Sequence, residues 1–266
     1  MTGGAVTVHR APSGAGGEIG WESQGEGPDL VLLHGSLTDR SAWAPLVPHL
    51  AGRFRVAAVD RRGRGLSASA PGPGVLETEV QDLAAVAGAL SAPPLVCGWS
   101  YGAVVALEAA LAGVPVSGLV LYEPPLSIAG PVVPPGLVER FGSLVAAGDP
   151  EAAVEAFMAV ALELPPPFVE LVRQTPTWPV AVATAATATA DMAALRDHRY
   201  DPERMARCAA PALVLSGSQS PDRLRSAAER LAADLPAGRL HVLADQHHFA
   251  FMVDPAGFAA VIEGFA

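Results

Sequence analysis

Hydrophobic and polar positions along the chain fall into two alternating kinds of run. Leu30–His34, Arg55–Asp60, Leu95–Gly98, Gly118–Tyr122 and Ala212–Ser216 are short stretches dominated by apolar residues, the first stopped by Gly35. Near-continuous apolar runs of this length are expected of strands buried on both faces. Val6–His9 and Ile19–Glu22 read as two opening strands, and Arg239–Leu243 completes a set of eight. Between them lie longer stretches with helical spacing at Trp43–Leu50, Glu77–Leu90, Tyr101–Leu111, Asp222–Leu235 and Pro255–Phe265. The alternation predicts an α/β fold, with a mostly parallel eight-stranded sheet covered by helices on both faces.

The rhythm breaks at Pro124. Five prolines between Pro124 and Pro135 punctuate the entry to a region without strand-like runs, which continues in helical character to about Ala209. The expected organisation is a core of residues 1–124 and 210–266 with a helical insertion over 125–209. Within it, Val180–Leu195 reads as one Ala/Thr-rich helix whose small side chains permit close packing. The insertion is either a structural subdomain or a lid lining a substrate pocket. The second is preferred, because ligands of α/β folds bind beside the C-terminal edge of the sheet.

Candidate chemistry concentrates at Gly98-Trp99-Ser100-Tyr101-Gly102. The pattern G-x-S-x-G is weak alone, and a tight turn with an incidental serine would also satisfy it. Here an apolar strand precedes it and a helix follows, the context of a strained nucleophile elbow. Ser100 is then the expected nucleophile, and the Tyr101 N–H one donor to a developing oxyanion. A serine hydroxyl needs a base. Of seven histidines, His247 and His248 alone follow the last strand and precede the last helix; position does not separate the two.

Composition narrows the partners. The net charge is −10, and all 17 basic residues are arginine. The one basic cluster, Arg61, Arg62 and Arg64, is too small to neutralise a run of phosphates, so no nucleic-acid partner is expected. Absence of Lys and Asn suggests a GC-rich bacterial genome. No stretch reaches the ~18 apolar residues of a membrane span, and Met1–Gly20 lacks the pattern of a signal peptide. Two cysteines, Cys97 and Cys208, have neither pairing nor metal-ligand spacing, so a reduced cytoplasmic location is expected. There is no dinucleotide fingerprint and no plausible metal set, so no cofactor is expected. A homodimer is allowed but not implied.

The segments Leu30–Gly35, Asp60–Ser67, the elbow and the tail around His248 together resemble the bacterial α/β-hydrolase family, over about residues 1–124 and 210–266. In that family the catalytic histidine commonly stands seven residues before the proline opening the last helix, a spacing His248 and Pro255 match. The resemblance therefore implies His248 over His247. The family's His-Gly-x loop implies Ser36 as the second oxyanion donor. One departure stands out: relatives usually carry an aspartate where this chain has Ser220. Some members, including certain haloalkane dehalogenases, carry the acid after the strand corresponding to Gly118–Tyr122, where this chain has Glu123. Glu123 is the favoured acid, with Asp222 the alternative and a Ser–His dyad the remaining option. Asp222 also suits a helix N-terminus. Trp99, Leu37 and Trp43 are the expected substrate contacts.

The implied activity is hydrolysis of a carboxylic ester, thioester or related acyl bond of a small organic substrate through an acyl-enzyme. A lyase, cyclase or acyltransferase on the same fold is the alternative, since fold alone does not decide chemistry. A non-enzymatic ligand-binding receptor is a third reading.

Overall fold

A computed structural model describes residues 5–70, 74–128 and 130–266. The first four residues, part of the stretch read for a signal peptide, lie outside them. Eight strands form one sheet: β1 Thr7–Pro12, β2 Glu18–Gln24, β3 Asp29–Leu33, β4 Arg55–Val59, β5 Leu95–Trp99, β6 Gly118–Tyr122, β7 Ala212–Gly217 and β8 Gly238–Leu243. Their order is β1-β2-β4-β3-β5-β6-β7-β8. The β1–β2 and β2–β4 pairs are antiparallel and all others are parallel.

The central strands are buried throughout because each serves two cores. Val31 and Leu33 belong to one apolar cluster, whereas Leu30 and Leu32 belong to the other. The same alternation sends Leu119 and Leu121 to one face and Val120 and Tyr122 to the opposite one. A strand's period of two thus divides a continuous apolar run between two layers.

The helices of the core are α1 Val47–Leu50, α2 Leu76–Gly88 and α3 Tyr101–Leu111. The insertion between β6 and β7 then supplies α4 Leu137–Ala146, α5 Pro150–Val160, α6 Pro166–Arg173, α7 Thr177–Ala183, α8 Ala185–Asp197 and α9 Pro202–Met205. The core resumes with α10 Asp222–Asp234, α11 Ala250–Val253 and α12 Pro255–Phe265. Among the described residues no helix is long and apolar enough to cross a membrane.

Two expected helices differ. Trp43–Leu50 is not continuous: a single 3-10 turn, Arg40–Trp43, is followed by the short α1. Pro45 and Pro48 remove backbone donors there. The Ala/Thr-rich stretch breaks into α7 and α8 at Thr184. The Thr184 hydroxyl donates to the carbonyls of Val180 (2.8 Å) and Ala181 (3.3 Å), competing with the helical ladder.

The order of strands fixes where a ligand can bind. After β3 the chain moves to one side, to β4, and then crosses back to place β5 on the other side. That reversal opens a crevice beyond the C-terminal ends of β3 and β5. The loops carrying Ser36 and Ser100 leave the sheet at that point.

Candidate active site

Ser100 lies between β5 and α3 at φ 54° and ψ −124°, a left-handed conformation costly for a residue with a Cβ. Its neighbours show why glycine flanks it. A Cβ on Gly98 would overlap the backbone of Ala103, and one on Gly102 would overlap the carbonyl oxygens of Leu33 and His34. A Cβ on Gly35 would stand 3.1 Å from that of Ser100. The Ser100 N–H donates to the Tyr122 carbonyl (2.9 Å), tying the elbow to β6. Tyr101, the first helical residue, presents an N–H with no acceptor inside the helix.

His248 stands in the loop between β8 and α11 and is buried. Its loop is pinned on both sides by one hydroxyl. Tyr122 Oη donates to the His247 carbonyl and accepts from the Ala250 N–H. Trp99 packs against the imidazole, with ring centroids 5.4 Å apart. His247 is exposed, and its Nδ1 lies 3.3 Å from the Gln219 carbonyl.

Glu123 meets His248: the carboxylate Oε2 is 2.6 Å from Nδ1, with the side chain 0% exposed. Its other oxygen, Oε1, accepts the Gly217 N–H at 2.7 Å. Glu123 also holds a positive φ of 47°, which turns it inward as it leaves β6. Burial acts to raise its pKa, but the hydrogen bond and charge of His248, with help from Ser220 and the Gly217 N–H, bring it below the usual glutamate value. Ser220 therefore borders the same carboxylate. Asp222 is elsewhere in character: its side chain is 89% exposed, on the first residue of α10, and pairs with Arg225.

Ser100, His248 and Ser36 line two cavities together. The larger, about 330 Å³, is walled by Leu37, Trp99, Phe157 and Met252, and no carboxylate or arginine is among the described residues that line it. The smaller, about 30 Å³, lies toward Val132, Met192, Leu195 and Leu224. Insertion residues are among the lining of both. Trp43, in contrast, is 0% exposed and lines neither cavity; it packs on Phe251 (4.5 Å) and Trp99 (6.4 Å) within the apolar layer beneath.

Sequence reading missed a buried ionic cluster behind the Ser36 loop. Arg61 binds Glu79 of α2 through two bonds (2.5 and 2.6 Å) and Asp191 of α8 through two more (2.7 and 3.2 Å). Arg64 adds a 2.7 Å bond to Asp191. Arg62 turns to Asp82 instead. The basic cluster of the sequence thus faces inward onto carboxylates. A signal for Asp191 existed: it is the one charged residue between Arg173 and Arg196, and a lone charge on a buried helix needs a partner. Among the described residues, no group of three or more His, Cys, Asp or Glu is placed to hold a metal.

A strained serine and an imidazole thus line one cavity, and a buried carboxylate meets the imidazole at Nδ1. The family model described as "Alpha/beta hydrolase family" matches residues 30–261. The chain belongs to the alpha/beta hydrolase family. A solved structure of an alpha/beta hydrolase from Sphaerobacter thermophilus DSM 20745 is 37% identical, covers 97% of this chain and 99% of its own, and superposes with a TM-score of 0.88. The esterase RhEst1 from Rhodococcus sp. ECU1013 is 28% identical over 97% of this chain and 98% of its own, with a TM-score of 0.78. A pimeloyl-[acyl-carrier protein] methyl ester esterase from Stenotrophomonas maltophilia (strain R551-3) is 37% identical over 145 residues, 52% of this chain and 54% of that protein. The chain thus spans about half the length of such curated relatives.

Proposed function

We propose that the protein is a serine esterase acting on small, largely apolar carboxylic esters through an acyl-enzyme. The carrying observation is the 2.6 Å Glu123–His248 contact beside a cavity that Ser100 and His248 both line. Ser100 Oγ attacks the ester carbonyl carbon while His248 Nε2 takes its proton. Glu123 holds the imidazolium through Nδ1–H. The carbonyl oxygen becomes an oxyanion facing the N–H groups of Ser36 and Tyr101. Collapse expels the alkoxide, which receives the proton from His248. Water, activated by the same imidazole, then attacks the acyl carbon and regenerates Ser100.

Cavity sizes support an asymmetric ester. The larger half fits the apolar 330 Å³ space. The 30 Å³ cleft accepts a small group, given that one water requires roughly 10–15 Å³ on the same scale. Insertion residues Phe157, Leu162, Met192 and Leu195 support reading 125–209 as a lid over this site. A cytoplasmic location is supported by the two unpaired, buried cysteines.

The test is pre-steady-state hydrolysis of 4-nitrophenyl esters with active-site titration by a fluorophosphonate. A burst equal to the titrated sites, lost in Ser100→Ala, is expected. A panel including methyl hexanoate, hexyl hexanoate and a carrier-protein methyl ester then reads the size rule, with methyl hexanoate favoured over hexyl hexanoate. Phosphonylation of Ser100 without turnover of any ester would overturn the esterase reading in favour of a lyase, cyclase or acyltransferase.

A further inference from the structure

We propose that the Arg61–Asp191 ion pair is a positioning device for the oxyanion site, through which the 125–209 insertion sets the rate of the chemical step. The proposal rests on the reading of the Ser36 N–H as an oxyanion donor.

The link is one peptide group. The Gly35 carbonyl and the Ser36 N–H belong to the same planar trans unit, so they point in opposite directions. The Gly35 oxygen accepts twice. One bond comes from Arg61 Nη1 (3.0 Å), the other from His34 Nδ1 (2.8 Å). His34 is fixed in the tautomer this requires, because its Nε2 accepts the Arg61 N–H at 3.1 Å. Burial, with Arg61 and Arg64 nearby, holds the His34 pKa well below its ordinary value, so the ring is neutral and keeps one acceptor nitrogen. With its carbonyl lone pairs both engaged, this peptide cannot rotate without stranding a buried oxygen. The Ser36 N–H is thereby aimed away from Arg61.

The second donor touches the same cation. The Arg61 guanidinium lies over the Tyr101 ring, 4.4 Å from its centroid. Arg61 therefore contacts the Gly35 end of the peptide that carries the Ser36 N–H, and the ring of Tyr101, which offers the other. Its own place is set by Glu79 on one edge and Asp191 on the other.

Asp191 is the member contributed by the insertion. Burial opposes its charge, but Arg61 and Arg64 outweigh burial and, with a smaller effect from the Ser36 hydroxyl, hold its pKa below the usual aspartate value. The carboxylate thus holds the cation that orients the Gly35–Ser36 peptide. Without that charge, two buried guanidiniums would compete for Glu79, and Arg61 would leave the Gly35 carbonyl.

The experiment compares wild type, Asp191→Asn, Asp191→Glu and Arg61→Lys. It measures kcat and KM per fluorophosphonate-titrated site, together with Ki for an alkyl trifluoromethyl ketone. That ketone accepts Ser100 Oγ at its carbonyl carbon and leaves a charged oxygen in the oxyanion site. Asp191→Asn is expected to lower kcat by ~10–10²-fold, below the ~10²–10³ of removing a donor outright. KM should stay within about threefold, Ki should rise in step with the fall in kcat, and Asp191→Glu should recover part of both. Arg61→Lys keeps a cation between the carboxylates but lacks the fork that reaches Gly35; the same coupled loss is expected if Asp191→Asn does not fold. A lower melting temperature with kcat per titrated site and Ki unchanged would overturn the proposal while leaving the esterase reading intact. Wild type that neither titrates nor turns over would overturn both.

Discussion

Replacing Glu123 by glutamine removes one charge and almost no volume. The wild-type carboxylate meets His248 Nδ1–H with Oε2 and the Gly217 N–H with Oε1, which also accepts a long bond from the Ser216 hydroxyl. An amide has one oxygen and so can satisfy one of them. If it keeps Gly217, its NH₂ faces Nδ1 and drives the imidazole into the tautomer that cannot accept the Ser100 proton at Nε2. If it keeps His248, a buried backbone N–H is stranded. In either case the imidazolium loses its counter-charge. At roughly 4 Å between charge centres and an effective dielectric near 20, that loss is about 4 kcal/mol, or ~10³ in rate. Adding the tautomer penalty approaches the ~10⁴ seen when a triad carboxylate becomes an amide. The expected result is therefore a 10³–10⁴-fold fall in kcat per titrated site, measured with an activated 4-nitrophenyl ester. Asp222→Asn, at an exposed helix start, should leave kcat within twofold. Retention of more than about a tenth of wild-type kcat by Glu123→Gln, or a large loss in Asp222→Asn, would refute the assignment.

Trp43→Ala should lower stability by ~3–5 kcal/mol, as expected for a fully buried aromatic; Trp43→Phe should leave KM unchanged, because position 43 packs beneath the cavity without lining it. Gly102→Ala should cost ~1–3 kcal/mol through overlap with the Leu33 and His34 carbonyls and lower kcat, read by chemical denaturation and ester turnover. Burial raises the Cys97 thiol pKa well above its ordinary value, and Cys208 is also buried; neither should react with iodoacetamide until denaturant is added, as counted by mass spectrometry. Glu108 is opposed by burial, but His198 and Arg204 bring its pKa below the ordinary 4.5. A depressed folded pKa means its stabilisation is full above about 4.5 and fades as pH falls through the lower folded value. The melting-temperature gap between wild type and Glu108→Gln should therefore narrow below pH 4.5, and a gap constant with pH would argue against the pairing.

The central strands were legible because five-residue apolar runs have few other fates in an α/β rhythm. The expected runs Leu30–His34, Leu95–Gly98 and Gly118–Tyr122 fall within a residue at each end of β3, β5 and β6. The elbow was legible because its glycines, strand and helix come from one continuous segment. Long-range chemistry was less so. The move of the acid from the Ser220 loop to Glu123 was an expectation from resemblance, and the fold brings Glu123 to His248 across 125 residues. The expected role of Trp43 did not follow, since an aromatic beside the site is equally suited to the layer supporting it. Asp191 went unremarked: its partners are over 100 residues away in sequence, so local pattern could signal an unpaired charge but not its destination. The break at Thr184 was hidden because Ala and Thr carry no strong stop signal.

The cross-boundary position of Asp191 also limits how this scaffold can be recombined. Exchanging 125–209 for the corresponding helices of another family member would normally be judged by whether the new segment covers the pocket. Here a graft without a carboxylate at that point would leave the core with surplus positive charge sealed from solvent, a defect of about 3–5 kcal/mol. Arg61, Arg64 and Asp191 thus form a unit of inheritance that crosses the visible seam, and a working chimaera must transplant all three or neutralise the pair left behind.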